Sequence, residues 1–339
     1  MTESTHDVDA RTTKADYLKV VSIIGGTRSG STIIDNILGE YDGFFSTGEL
    51  HYLWERGLIQ GRKCGCGRKL RECEVWSQVI DRVFEDPQLS RMGAAGVVLL
   101  QRRTVRTRHT AKLLRSANVG QEKSVYARDY ARIANRLYTS IAEVTGSRVI
   151  VDSSKRPSDA ALVRRLPGIT SYVVHLVRDP RAVAFSWLSK KEEFDSEAAT
   201  YMPQHGSLYT SIRWLGINAM ANIVRFREPL GQAFLVRYED FVAQPRTVIE
   251  GIVSAVGEST ERTPFMDERA VFLAANHTVS GNPSRFRTGV VQLCEDRDWR
   301  HGLGGGSRLV TTAVSMPLLR HYGYSFRSRT ESRSQRAIP

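Results

Sequence analysis

Short apolar, β-branched runs recur along the chain, separated by stretches whose apolar residues fall at helical spacing. Val20–Ile24, Arg148–Val151, Tyr172–Val177 and Ala233–Tyr238 read as strands buried on both faces, because each is a near-continuous apolar run rather than an alternating one. The stretches between them carry helical periodicity, with Gly93–Leu114 and Tyr130–Val144 the clearest, and residues 75–145 as a whole read as largely helical. This β–α alternation predicts an α/β fold with a P-loop-like, doubly wound parallel sheet, flanking helices and helical insertions. The polar segments 1–16 and 327–339 are expected to be disordered tails, leaving 17–326 as a single domain with a helical insertion at about 60–145.

The first strand breaks into the turn Gly25-Gly26-Thr27-Arg28-Ser29-Gly30-Ser31-Thr32, and Ile33 to Leu38 then take up helical spacing. A strand, a glycine-rich turn and a helix in this order present free backbone N–H groups to a phosphate at the helix N-terminus. The turn nearly fits the nucleotide-binding P-loop pattern, with Gly25, four residues, Gly30 and then Ser31-Thr32. The lysine due after Gly30 is absent, and the turn's cation, Arg28, lies inside the loop. Gly26, Thr27, Arg28, Ser29, Gly30, Ser31 and Thr32 are therefore expected to hold an anion.

A second anion site is expected where Tyr172–Val177 ends, since ligands of open α/β sheets bind at the carboxyl ends of strands. Arg178 stands there, Asp179 suits a helix N-cap and Pro180 suits the first helical turn. Ser186 follows eight residues after Arg178, about two helical turns on, so both can face one pocket and share a phosphate.

Composition narrows the partners. A formal net charge of +12 favours anions: nucleotides, nucleic acid, or acidic lipid and glycan surfaces. No apolar run of about 18 residues predicts a membrane span. The polar N-terminus lacks a secretory apolar region, and four cysteines do not make a disulfide framework, so the expected compartment is cytoplasmic. Three of the cysteines are crowded as Cys64-Gly65-Cys66-Gly67 and Cys73, which resembles half of a zinc knuckle. C-x-C-x6-C offers three thiolates where a structural zinc needs four ligands, and Cys294 and His51 are too distant in sequence to assume. The expectation is therefore no metal, with reduced loop cysteines or a Cys66–Cys73 bridge. Arg62, Lys63, Arg68, Lys69 and Arg71 make this loop basic and suited to an anionic acceptor, while Arg102 to Arg115 reads as a solvated basic face.

Taken together, the turn and the Arg178–Ser186 pair resemble the 5′-phosphosulfate loop and 3′-phosphate motif of sulfotransferases that use 3′-phosphoadenosine-5′-phosphosulfate (PAPS). Phe234-Leu235-Val236-Arg237-Tyr238-Glu239-Asp240-Phe241 is similar to the family's strand followed by Tyr-Glu-Asp-Leu. Arg285-Phe286-Arg287-Thr288-Gly289, with Trp299 beyond, is similar to its C-terminal Arg-x-Gly…Trp segment. The matches span residues 20 to 300 in the expected order, closer in style to bacterial and tyrosylprotein-type enzymes than to cytosolic small-phenol ones. The resemblance implies Arg178, Ser186, Arg285 and Arg287 on the 3′-phosphate, and PAPS as donor without a metal.

Transfer to a hydroxyl or amine needs a base near the acceptor and a cation near the donor's bridging oxygen. In tyrosylprotein-type enzymes a Gly-Glu supplies the base, which implies Glu49; His51 competes, an imidazole being suited to neutral pH. Lys155, after the strand that begins at Arg148, is implied beside the sulfonate or bridging oxygen, with Arg28 on the 5′-phosphate and sulfonate. His277 lies in a loop, residues 276–283, expected over the pocket, where it could meet donor or acceptor. The acceptor itself, a small molecule, glycan or lipid, is not legible, nor is the oligomeric state. A P-loop kinase of small metabolites is the alternative, kept open by Asp152 as a magnesium holder. A basic nucleic-acid binder is a third reading, and nucleic acid is not expected as a partner.

Overall fold

In the computed structural model, residues 17–115, 122–190, 192–196 and 200–326 are described. The expected tails at 1–16 and 327–339 lie outside them.

Aliphatic and β-branched residues set the longer strands; in chain order the strands are β1 Leu18–Gly25, β2 Phe44–Ser46, β3 Val149–Lys155, β4 Ile169–Val177, β5 Glu192–Glu193, β6 Thr200–Tyr201, β7 Ala233–Arg237, β8 Ala270–Leu273 and β9 Gly289–Gln292. Five of them form one sheet in the order β2-β3-β1-β4-β7, and every pairing in it is parallel. The chain leaves β1 toward β2 and β3 on one side and later fills β4 and β7 on the other. That reversal puts the carboxyl end of β1 at the topological switch point, where open α/β sheets bind ligands. β5 with β6 and β8 with β9 make short antiparallel pairs.

The helices are α1 Ser31–Gly39, α2 Glu74–Phe84, α3 Pro87–Thr104, α4 Thr110–Leu113, α5 Val125–Thr145, α6 Pro157–Val163, α7 Pro180–Leu188, α8 Ser207–Arg225, α9 Tyr238–Ala243, α10 Pro245–Ala255, α11 Trp299–Gly302 and α12 Gly305–Leu319. They cover both faces of the sheet. Val20 and Ile24 of β1 point into a core with Trp76, Val97, Ile141 and Leu162, whereas Val21 and Ile23 point into one with Ile34, Ile37, Phe241 and Ile252. No helix among the described residues is long and apolar enough to cross a membrane.

Three elements depart from the sequence reading. β3 runs on through Asp152, Ser153, Ser154 and Lys155, because Ser22 and Ile24 of β1 pair with Asp152 and Lys155 across a bulge. The helix expected from Gly93 begins at Pro87, capped by the Asp86 carboxylate on the N–H groups of Gln88 and Leu89, and is interrupted at Gly93, whose φ is 62°. Tyr238 starts α9 instead of closing β7.

Candidate functional site

β1 delivers the anion turn. Gly30 caps α1 in the left-handed region at φ 87°, and a Cβ there would lie 2.5 Å from the Tyr238 ring, so only glycine fits both backbone and neighbour. Arg28 at φ 66° and Lys155 at φ 64° are the only non-glycine residues with positive φ among those described. Such backbone costs on the order of 1–3 kcal/mol each and clusters at functional sites. Both residues line one cavity of about 450 Å³, together with Thr27, Gly30, Ser31, Thr32, Glu49, Arg178 and Ser186. Gly26 and Ser29 sit beneath the turn, with Trp214 against Gly26 and Ser29 1% exposed.

The turn is rich in unanswered polar atoms. Arg28 Nη1, Ser29 Oγ and Ser31 Oγ are buried without a hydrogen-bond partner. A buried donor left unpaired costs roughly 1–3 kcal/mol, and an incoming anion removes that cost. The Arg28 guanidinium lies 5.0 Å from the Trp187 ring centroid. Burial lowers its pKa, while the Glu49 and Glu193 carboxylates act against that shift.

Glu49 precedes a 3-10 turn, Leu50–Tyr52, and its backbone N–H donates to the Ser280 carbonyl at 3.0 Å. Lys155 Nζ donates to Glu49 Oε1, joining the implied cation and the implied base in an ion pair at the sheet edge. Arg178 follows β4 and stacks on Tyr238 at 4.5 Å. Its Nη1 donates to the Arg28 carbonyl at 3.2 Å and its Nη2 to Asp296 Oδ2 at 2.9 Å. Asp179 does cap α7, accepting from the Arg181 N–H, and the helix brings Ser186 to the same cavity.

Four residues expected at the pocket are not in the cavity lining: His51, Arg285, Arg287 and His277. His51 does not face the turn: its Nδ1 pairs with Asp159 Oδ2 at 2.7 Å, and the ring lines a second, smaller cavity. Arg285 is 1% exposed and spends its guanidinium on the carbonyls of Thr278 and Lys63 and on Asp195, which makes it a brace between loops. Arg287 is exposed and outside the cavity lining. The four cysteines are free, which fits the expected reduced loop cysteines and not the alternative Cys66–Cys73 bridge, and His277 lies beside Cys64, Cys66 and Cys73 with its ring nitrogen within 4.8 Å of their sulfurs. Its Nδ1 lies 3.2 Å from Cys73 Sγ, so it turns toward the thiols and not toward the donor cavity. Separation along the chain hid this pairing.

Asp152, the residue that kept the kinase reading open, also points elsewhere. Tyr138 donates to its Oδ2 at 2.7 Å, it lines the second cavity, and burial raises its pKa. The sequence reading missed Arg56, Arg213, Trp187 and Tyr238 as cavity walls. Trp187 had a usable signal, being adjacent to Ser186; Arg213 stands in α8 with no local motif around it.

The sequence model of the group described as the sulfotransferase family matches residues 21–262, and the chain belongs to that family. Among solved structures, the sulfotransferase domain from the Synechococcus PCC 7002 olefin synthase is 17% identical, over 91% of this chain and 96% of that one, at a TM-score of 0.49. The sulfotransferase domain from the curacin biosynthetic pathway is 14% identical, over 91% and 99%, at 0.48. A sulfotransferase from Alicyclobacillus acidocaldarius is 12% identical, over 87% and 95%, at 0.36. Comparison with curated proteins gives no match.

Proposed function

We propose that this sulfotransferase takes its sulfuryl group from PAPS and passes it in line to a hydroxyl or amine of a small-molecule, glycan or lipid acceptor, leaving adenosine 3′,5′-bisphosphate. One observation carries the reading: the two strained non-glycine residues, Arg28 and Lys155, converge on a single cavity beside partnerless buried atoms of the turn.

In this reading the N–H groups at the start of α1, with Arg28, Ser31 and Thr32, hold the 5′-phosphate and sulfonate oxygens. Arg178 and Ser186 hold the 3′-phosphate. Glu49 accepts the proton of the acceptor hydroxyl or amine as its oxygen or nitrogen bonds to sulfur, and Lys155 neutralises the donor's bridging oxygen as its bond to sulfur breaks. A sulfuryl group carries less negative charge than a phosphoryl group, so side-chain cations and backbone dipoles suffice to stabilise its transfer. The free thiols suit work in the reducing cytoplasm.

Calorimetry with adenosine 3′,5′-bisphosphate in the absence of metal, set against ATP with magnesium, tests the donor site. Wild type is expected to bind the bisphosphate with roughly micromolar affinity, and Arg178→Ala to lose most of it. Binding of magnesium–ATP alone would replace this reading with the kinase.

A further inference from the structure

We propose that Cys64, Cys66, Cys73 and His277 form a structural zinc site that clamps the cysteine loop to the segment bearing the catalytic cavity's far wall. The proposal is independent of the identity of the sulfuryl donor.

The four ligand atoms, three sulfurs and one imidazole nitrogen, all lie within 4.8 Å of one another. In a tetrahedral zinc site with Zn–S bonds of about 2.3 Å, neighbouring sulfurs stand roughly 3.8 Å apart, so the cluster needs only a small contraction to close on an ion. Cys64 and Cys73 are fully buried, and Cys66 and His277 are half-buried. Four protein ligands leave no open position, the hallmark of a structural rather than a catalytic zinc.

The surrounding backbone is shaped for it. Cys64 N–H donates to the Arg68 carbonyl at 2.8 Å, and Gly67 N–H donates back to the Cys64 carbonyl at 2.9 Å, so Cys64 and Cys66 sit on one tight turn. A Cβ at Gly65 would come 2.0 Å from Asn276 Oδ1, so glycine there lets the turn approach the His277 segment. Trp76 Nε1 donates to the His277 carbonyl and Gly65 N–H to the Thr278 carbonyl, holding the backbone that carries the imidazole. Three thiolates around Zn²⁺ leave one net negative charge, and Lys63, Arg68, Lys69 and Arg71 flank the loop to balance it. A disulfide would use two of these thiols and strand the third with the histidine; one zinc ion uses all four groups.

The clamp has a target. Beyond His277, Val279 N–H donates to the Thr47 carbonyl at 2.8 Å and the Ser280 carbonyl accepts from Glu49 N–H, while Gly281 and Asn282 line the donor cavity. Zinc therefore braces the strip that positions Glu49 without touching the reacting groups.

The full chain, purified with reductant and supplied with zinc, is expected to carry one zinc per chain by elemental analysis. Cobalt(II) loaded in its place should show thiolate-to-metal charge transfer and tetrahedral ligand-field bands. Cys73→Ser and His277→Ala should lower zinc affinity by roughly tenfold or more, whereas Cys294→Ser should keep full occupancy. If a variant fails to fold, the cobalt spectrum of the wild type still decides. Failure of the wild type to take up zinc or cobalt, a disulfide among Cys64, Cys66 and Cys73 that survives purification with reductant, or an unchanged cobalt spectrum in His277→Ala would each overturn the site.

Discussion

Lys155 and Glu49 pair at the end of β3, and in the proposed mechanism an acceptor hydroxyl inserts beside that pair to reach both groups. Replacing either removes the ion-pair partner of a buried lysine or a half-buried glutamate. Glu49→Gln and Lys155→Ala are each expected to lower turnover by roughly a hundredfold, with bisphosphate binding retained in Glu49→Gln, as steady-state rates and calorimetry would show. Wild-type turnover by Glu49→Gln would remove it as the base. A second residue-scale effect concerns Asp296, whose carboxylate occupies the Arg178 guanidinium that the proposed 3′-phosphate needs. Its side chain is 43% exposed, so it can swing away at modest cost, yet it competes with any bound anion. Asp296→Asn should tighten adenosine 3′,5′-bisphosphate by about three- to tenfold in the same calorimetry. Unchanged or weaker affinity would mean that the carboxylate does not compete.

Helix α1 meets β2 through a buried carboxyl. Asp35 accepts from Ser46 Oγ at 2.6 Å, and burial pushes its pKa up to about 8. Between about pH 4 and pH 8 the folded protein therefore keeps a proton that the unfolded chain has released, and stability falls as pH rises through that window. Asp35→Asn keeps an acceptor for Ser46 and should flatten the fall in stability between about pH 4 and pH 8 in denaturant titrations. Equal slopes would show that Asp35 is ionised in the fold. The unit β1–turn–α1 was legible in the sequence because everything it needs is local: an apolar run, glycines, then helical spacing. The carboxyl end of β3 was not, since Asp152 to Lys155 are polar and become strand only by pairing with β1. The short pairs β5–β6 and β8–β9 carry too few residues to show a pattern. Among site residues, Arg28, Arg178, Ser186, Glu49 and Lys155 could be found from strand ends and motifs, and all five line the cavity. Arg285 could not be sorted from a ligand-facing arginine, because its buried partners Asp195, Lys63 and Thr278 come from three separate segments.

Across the whole molecule, the cavity gathers side chains from β3 and from the turn, loops and helices that follow β1, β2 and β4. An anion bound there links those parts and should raise the unfolding free energy of the entire chain. At a hundred times its dissociation constant, adenosine 3′,5′-bisphosphate is expected to add about 2.7 kcal/mol, measurable as a shift in thermal midpoint that Arg28→Ala abolishes. A shift that survives in Arg28→Ala would place the ligand elsewhere. The backbone bonds that seat Thr47 and Glu49, donated and accepted by Val279 and Ser280, have a temporal meaning as well. The strip that seats Glu49 is translated long after Glu49 itself. A nascent chain that has already made the anion turn, Glu49 and Lys155 still waits for Val279 and Ser280 before these groups share a rigid frame. Pairings this remote in sequence form slowly and late. The ribosome thus releases the ingredients of the candidate site early and the frame that joins them much later.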